Sequence, residues 1–158
     1  MNSKGFTLIE LVVVIVILGI LAVTVVPKYI NLQADAKTAT LAGVKAAMQG
    51  GSALVYGKSI VAGNQKLSDL SNPKPTITLS DGTVLDIKYG YPTSNIGDWK
   101  SLLDIDLTDF FFRANINGDL FILPYPDSLA ELNNSDCRVR YRKSVAGEKP
   151  EITLFPCE

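Results

Sequence analysis

The stretch that decides the fold is Gly5–Val26, with the sequence GFTLIELVVVIVILGILAVTVV. From Phe6 to Val26 there are 21 residues and a single charge, that of Glu10. A helix of that length spans roughly 31 Å, close to the thickness of the hydrocarbon core of a bilayer. An ionised carboxylate in such a segment costs about 2.5–3.5 kcal/mol on insertion scales, so it needs a purpose or a partner. The sequence therefore predicts a membrane-spanning helix with one functional carboxylate near its start.

Two simpler interpretations of this segment explain less. A secretory signal peptide needs an apolar stretch of about 7–15 residues and then a small-residue cleavage site. The apolar run Leu11–Val26 already has 16 residues, and no clear Ala-x-Ala site follows it. A plain single-pass anchor accounts for the length, but it accounts neither for Glu10 nor for the glycine before Phe6.

The hexapeptide Gly5–Glu10 resembles the prepilin motif of type IV pilins and pseudopilins. The shared features are a short leader that ends in glycine, a phenylalanine after it, and a glutamate four residues beyond the phenylalanine, all ahead of an apolar span. This resemblance implies that a prepilin peptidase cuts between Gly5 and Phe6 on the cytoplasmic side of the membrane. It also implies that the same enzyme methylates the new amine of Phe6.

The resemblance further implies how the span behaves in a filament. Before assembly it holds the subunit in the inner membrane, and after extraction the spans of many copies bundle into a dry filament core. Glu10 is then expected to be neutralised by the Phe6 amine of an adjacent subunit. The stretch from Gly19 to Pro27 is rich in β-branched residues, which are weaker helix formers. It is expected to be helical in the isolated subunit and to melt, at least partly, in the filament.

Three later segments resemble the mannose-sensitive haemagglutinin (MSHA) branch of the same family: Pro27–Gln33, Val55–Ser59 and Tyr89–Pro92. This second resemblance implies the major subunit of a type IV pilus, a homopolymer built by the pilus assembly machinery. Such a filament would serve adhesion to a surface or glycan ligand and biofilm formation. Two alternatives remain open: a pseudopilin of type II secretion, and a binding module anchored in the inner membrane that never polymerises.

Composition fits a small envelope protein. The 158 residues allow one domain plus an extended helix. Fifteen Lys+Arg against 16 Asp+Glu give a net charge of -1, whereas nucleic-acid binders are basic. Lys4 in the leader favours a cytoplasmic N-terminus, which places the body outside the inner membrane. The expected location is the inner membrane for the precursor and the cell surface for the assembled pilus.

Residues that support catalysis or a cofactor are few. The chain has no histidine, which removes Ser-His-Asp and Cys-His arrangements and nearly all catalytic zinc sites. We therefore expect no enzyme activity, no cofactor and no metal. Asn115–Asp119 faintly resembles a calcium loop, but a hairpin turn explains it better. Asp104, Asp106 and Asp109 are interpreted as a solvated acidic loop.

The two cysteines, Cys137 and Cys157, lie near the C-terminus. Outside the inner membrane the oxidising environment favours a disulfide between them. The closed loop has about 20 residues, which corresponds to roughly 3 kcal/mol in the chain-entropy model. We therefore predict a disulfide rather than two free thiols.

The predicted fold is α+β, a type IV pilin fold in which a long N-terminal helix, half of it protruding, packs on an antiparallel sheet with a disulfide-closed C-terminal region. Residues 1–5 form the leader, 6–27 the transmembrane and filament-core helix, and 28–158 the globular pilin domain. The helix is expected to run from about Phe6 to about Tyr56, with a kink at Pro27.

After the proline, apolar residues recur at helical spacing and predict one buried stripe. They are Ile30, Ala34, Leu41, Val44, Met48 and Val55. Small residues also recur every fourth position, in one row from Ala39 to Gly51 and in another from Ala34 to Gly50. Such rows let another backbone approach closely. That backbone belongs either to the chain's own sheet or to neighbouring helices, and the sequence does not apportion the two.

Three hairpins are predicted for the rest of the chain. Residues 76–79 and 83–89 flank a two-residue turn at Asp81-Gly82, and residues 110–114 and 120–125 flank Asn117-Gly118. The third hairpin pairs residues 137–142 with 151–155 and places Cys137 opposite Cys157, which sets Val139 against Phe155 and Tyr141 against Thr153. Alternation puts Arg138, Arg140 and Arg142 on the other face, a basic stripe that continues in Lys143. We interpret the stripe as a solvated face rather than an anion site, or as a contact for a neighbouring subunit's acidic loop.

Overall fold

The computed structural model describes residues 5–103, 105, 108–125 and 136–158, and excludes the side chains of Pro27, Ile30 and Asn31. The chain begins with one long helix, α1 (Leu8–Ala62), which continues without a break through position 27. It ends at Gly63, whose φ of 71° is left-handed. The predicted end near Tyr56 is wrong by six residues (62 minus 56), because the chain stays helical until a glycine can adopt the left-handed cap.

A small antiparallel sheet follows the helix. Its strands are β1 (Thr76–Thr78), β2 (Val84–Lys88) and β3 (Tyr91–Pro92), in the order β1-β2-β3. The first predicted hairpin is therefore confirmed. The short strand β3 was not predicted, because two residues that include a proline give almost no strand pattern. A short helix, α2 (Ile96–Leu102), comes next.

The main sheet has four antiparallel strands in sequence order. They are β4 (Phe110–Ala114), β5 (Asp119–Pro124), β6 (Arg138–Arg142) and β7 (Glu151–Phe155). The second and third predicted hairpins are thus confirmed as elements. The sheet and α1 make this an α+β chain with a long N-terminal helix on an antiparallel sheet, as predicted.

The predicted register of the third hairpin is wrong by one residue. Val139 lies opposite Leu154, and Tyr141 lies opposite Ile152. The prediction took the two cysteines as directly opposed, but β7 ends at Phe155, and Cys157 lies two residues beyond it. A one-residue slip exchanges the two faces of a strand. Phe155 therefore lies on the arginine face rather than in the core.

The two predicted β-turns are each one residue longer than expected. In the first, Leu79 N–H donates to Thr83 O and Gly82 N–H donates to Leu79 O. The second repeats this pattern between Asn115 and Asp119, with Gly118 at a φ of 79°. Both are three-residue loops that end in a left-handed glycine, the next commonest hairpin connection after the two-residue turn.

The core lies between α1 and the two sheets. The predicted buried stripe is confirmed for the described side chains of Leu41, Val44, Met48 and Val55, while the side chain of Ile30 lies outside the description. The fully buried Trp99 meets the ring of Tyr141 edge to face, with 4.6 Å between centroids. An arrangement of this kind stabilises a core beyond its buried area.

Candidate functional site

The membrane-length segment of α1 stands apart from the body. Leu8–Val26 is a 19-residue apolar stretch, and none of it is buried within the subunit. Sixteen consecutive apolar or weakly polar residues follow Glu10 without another charge. An exposed apolar surface of this size indicates that lipid or other protein chains cover it.

Glu10 closes a capping box at the start of this helix. Its carboxylate accepts hydrogen bonds from Thr7 N–H at 2.9 Å and from the Thr7 hydroxyl at 2.6 Å. In return, Glu10 N–H donates to the Thr7 hydroxyl oxygen at 3.4 Å. The box fixes the carboxylate in the first turn, four residues from Phe6. Threonine followed three residues later by glutamate is the sequence signal for this motif, although no capping box was predicted at Thr7.

The structure separates the predicted site residues into two groups. Gly5 and Phe6 are exposed just ahead of the capped helix start, beside Glu10. Gly19 lies in the middle of the span, in helical conformation, and a methyl group there would meet nothing within 4 Å. The leader residues 1–4 lie outside the described residues.

The disulfide forms the second group, at the far end of the chain. Cys137 and Cys157 are bonded, with their Cα atoms 4.1 Å apart. Cys157 N–H also donates to the Thr38 hydroxyl of α1 at 2.9 Å. The C-terminus is therefore held both to strand β6 and to the helix, at the level where α1 meets the main sheet. This second attachment has no sequence signal, since 119 residues separate its partners.

Val55–Ser59 and Tyr89–Pro92, two of the segments singled out in the sequence, come together in space. Tyr56 of α1 stacks on Tyr91 of β3, with centroids 4.6 Å apart and planes 12° apart. Gly90 has a φ of 84°, and a methyl group there would lie 2.8 Å from the Tyr56 ring and from the Ser59 hydroxyl. Only glycine combines that backbone conformation with so close an approach. Burial raises the pKa of the Tyr91 hydroxyl, and its neighbour Tyr56 adds to the effect.

A pocket of about 420 Å³ opens beside this tyrosine pair. Ile152 of strand β7, Pro150 and the exposed Lys149 also line it. Ser52 of α1 also lines the pocket, and its hydroxyl finds no hydrogen-bond partner among the residues that the structure describes. No sequence pattern pointed to this pocket, because its walls come from three distant parts of the chain.

The basic stripe is largely neutralised by the chain's own acids. Glu151 pairs with Arg140 at 3.1 Å and with Arg142 at 3.3 Å, and Arg142 also reaches Asp119 at 3.4 Å. The Thr153 hydroxyl, followed by the two arginines, holds the pKa of the Glu151 carboxyl below its usual range. Arg138 lies over the rings of Phe121 and Phe155, at 5.3 Å and 5.2 Å.

The segments considered for metal binding have other roles in the described part of the chain. Asn115–Asp119 is the β4–β5 turn, in which Asp119 N–H donates to the Asn115 side-chain oxygen at 2.8 Å. Within the described ranges, no three cysteine or acidic side chains come together in a way that would hold a metal ion. Asp104 and Asp106 of the predicted acidic loop lie outside the described residues.

Comparisons with known proteins agree with these features. A family model, the prokaryotic N-terminal methylation motif, matches residues 1–26. The chain is 47% identical over 49 residues to the type IV narrow pilus major component of Thermus thermophilus, which covers 31% of this chain and 42% of that protein. It is 36% identical over 112 residues to a fimbrial protein of Moraxella nonliquefaciens, which covers 62% of this chain and 73% of that protein. No solved structure matches significantly.

Proposed function

This chain belongs to the type IV pilin family, and on that basis we propose that it is the major subunit of a type IV pilus of the MSHA kind. Its role is structural rather than catalytic. The observation that carries the proposal is the helix α1: its first half, Leu8–Val26, is membrane-length and wholly exposed, while its second half is built into the body. A subunit with that division needs an external apolar partner.

The proposed division of the chain follows that of the helix. Residues 1–5 are a leader that prepilin peptidase removes between Gly5 and Phe6, after which the Phe6 amine is methylated. Residues 6–27 hold the subunit in the inner membrane and later enter the filament core. Residues 28–158 form the body outside the membrane. The family model over residues 1–26 supports this proposal.

Assembly is proposed to exchange lipid for protein around the span. Each span leaves the bilayer and packs against the spans of other copies, so its apolar surface stays out of water. Burial of apolar area, at about 25 cal/mol per Å², prevents the polymer from releasing its subunits into solution. Copies of this chain are therefore the main partners in the finished filament, and the assembly machinery acts only during extraction.

Glu10 is proposed to set the register between neighbouring copies. In the single chain its carboxylate accepts two hydrogen bonds from Thr7, which reduces the cost of holding a charge near lipid. That arrangement keeps the carboxylate at the same end of the span as Phe6. In the filament the amine of an adjacent Phe6 would add the opposite charge. A buried charge left without that partner would be strongly unfavourable, so a copy out of register is rejected.

Adhesion and biofilm formation are the proposed tasks of the filament surface. The support is the likeness of Pro27–Gln33, Val55–Ser59 and Tyr89–Pro92 to the MSHA branch. Two of these segments meet at the Tyr56–Tyr91 stack, which stabilises the junction of α1 with the small sheet. The identity of the adhesion ligand, whether a surface or a glycan, does not affect the proposal for assembly.

The test is recovery and mass of the protein in filaments sheared from cells. We expect the chain to be abundant in the sheared fraction, with an intact mass that begins at N-methylated Phe6. The intact masses of the reduced and the unreduced sample should differ by the two hydrogen atoms that reduction of one disulfide adds. A mass that still includes residues 1–5, or a chain confined to the inner membrane, would overturn the proposal. Confinement would instead favour a pseudopilin or an anchored binding module.

A further inference from the structure

The pocket beside Tyr56 and Tyr91 has the size and lining of a small-ligand site. Its volume of about 420 Å³ lies in the range of about 300–1,000 Å³ that is typical of such sites. Its lining includes the stacked tyrosine pair together with Pro150 and Ile152. Two aromatic rings beside a proline and an isoleucine, around a space of this volume, suit a ligand body of one six-membered ring.

The polar groups of the pocket carry a single positive charge. Lys149 stands at the exposed rim and has no acidic partner in the described part of the chain. Of the acids near it in sequence, Glu151 is already engaged by Arg140 and Arg142, and the adjacent Glu148 forms no ion pair with it in the described part of the chain. One ammonium group without an arginine beside it matches one negative charge better than a dianion such as a phosphate monoester.

Ser52 and Gln49 supply the uncharged polar groups. Ser52 is 4% exposed, and its hydroxyl has no hydrogen-bond partner within the described ranges. A buried hydroxyl in that state is unfavourable unless something else satisfies it. A ligand oxygen beside Ser52 would supply the missing partner, and the exposed amide of Gln49 borders the same pocket.

We propose that this pocket binds a small organic acid made of one six-membered ring and one carboxylate. The ring lies against the tyrosines and faces Ile152, and the carboxylate lies between Lys149 and Ser52. Two sources share that chemistry, a uronic acid of a surface polysaccharide and an aromatic acid. The inference goes beyond assembly, because it concerns the dispersed subunit as much as the filament.

The test uses the full-length mature chain dispersed in detergent, with ¹³C-labelled tyrosine rings observed by NMR. The probes are glucuronate and phenylacetate, each compared with its uncharged amide. We expect at least one acid to shift the ring signals of Tyr56 and Tyr91, and to bind at least five times more tightly than its amide. A response to glucuronate alone identifies the uronic acid source, and a response to phenylacetate alone identifies the aromatic one.

Three variants locate the effect. Lys149→Met should weaken the acid about fivefold, which is ~1 kcal/mol at 1.4 kcal/mol per tenfold, while Lys66→Met, at an exposed lysine away from the pocket, should change nothing. Ala53 also lines the pocket, so Ala53→Leu should narrow it and abolish the shifts. Lys149 and Ala53 are exposed, so these variants are expected to fold, and an unchanged unfolding temperature checks this.

Three results would overturn the proposal. They are no shift with either acid, equal binding of acid and amide, and equal loss in Lys149→Met and Lys66→Met. Because the dispersed chain needs no filament, failure here leaves the assembly proposal intact. Equally, a failure to form filaments leaves this test interpretable.

Discussion

The two halves of α1 share one unbroken backbone helix and differ in what covers them. The first half, Leu8–Val26, is apolar on every side beyond Glu10 in its first turn and contributes nothing to the core. The second half buries one stripe, with Leu41 and Met48 fully inaccessible to solvent. A helix that is apolar all round needs an apolar surrounding on all sides, whereas a helix with one stripe needs only one packed layer.

The small residues of the second half differ in what covers them: some pack on the chain's own body and others are exposed. Gly51 packs on the chain's own body, where a methyl group would lie 3.1 Å from the Leu102 side chain. Most of the others are exposed, among them Ala39, Gly43 and Ala47. Close packing on the chain's own body thus applies to one end of the row, and there it is against α2 rather than against a sheet. The rest of the row is free in the single chain to face other copies.

The largest expected effect comes from removing the one charge in the exposed half. Glu10→Leu should leave export, cleavage and membrane retention near normal, because leucine suits the bilayer better than a carboxylate. It should reduce filaments at least tenfold, because it removes the proposed register contact with the adjacent Phe6 amine. The measurement is the ratio of the chain in sheared fractions to the chain in membranes. Glu10→Asp should fall between, since the charge remains but the side chain is one methylene shorter.

A matched control separates the capping role of Glu10 from its assembly role. Thr7→Val removes the hydroxyl of the capping box and leaves the carboxylate in place. Loss of a cap costs about 0.5–2 kcal/mol of helix stability, which a membrane-spanning helix tolerates because its backbone stays hydrogen-bonded in lipid. Thr7→Val should therefore keep most filaments. Normal filament yield from Glu10→Leu would refute the assembly mechanism.

The second prediction compares one leucine from each half. Leu41→Ala should destabilise the body by about 2–5 kcal/mol, because it opens a cavity in a fully buried layer. Leu18→Ala, at a residue 58% exposed in the single chain, should change the same free energy of unfolding by no more than about 0.5 kcal/mol. Fluorescence of Trp99, the only tryptophan and fully buried, reports unfolding of the body in detergent. Equal destabilisation by both variants would contradict the division of the helix.

The sequence predicted best what depends on pattern over many residues. Three features of this kind are the long apolar span, the periodic buried stripe of α1 and the alternation of β6. Each depends on many residues, so a single deviation does not change the prediction. The predictions that failed depend on one residue. The helix continues past Gly57 to Gly63, and the β6–β7 register shifts because Cys157 follows the end of its strand.

Contacts between distant segments are the part that no local pattern reveals. The Tyr56–Tyr91 stack joins residues 35 positions apart (91 minus 56), and no sequence feature of either segment predicts contact with the other. The same holds for the hydrogen bond from Cys157 to Thr38. The pocket depends on the segments that contain Tyr56 and Tyr91 and on Lys149, so it is recognised only once the fold is known. The capping box of Thr7 and Glu10 is the opposite case, since its signal lies within four consecutive residues, although it was not predicted from them.

The third prediction concerns the attachment of the C-terminus to the second half of α1. Cys137→Ser, with the loop of 20 residues opened, should lower the free energy of unfolding of the body by roughly 3 kcal/mol. Membrane retention should be unchanged, because the span makes no contact with this region. Denaturant titration with Trp99 fluorescence measures the first effect, and membrane fractionation measures the second. Two free thiols in denatured, unreduced filaments would contradict the disulfide itself.

The smallest expected effect is electrostatic and confined to the body. The pKa of the Glu151 carboxyl is held below its ordinary value of 4.5, first by the Thr153 hydroxyl and then by Arg140 and Arg142. A carboxyl whose folded pKa is lowered stabilises the fold above its unfolded pKa and loses that contribution as the pH falls through the folded value. Glu151→Gln should therefore lower the unfolding temperature slightly at pH 7, and the difference from the unmodified chain should vanish below the folded pKa.

Because the carboxylate is exposed, 1 M salt should shrink the effect as well. Glu148→Gln, at an exposed acid without a cationic partner among the described residues, serves as the control and should leave the unfolding temperature at pH 7 unchanged. A pH-independent loss in Glu151→Gln would mean that the side chain acts through packing, and the paired charges would then be incidental to the stability of this half of the molecule.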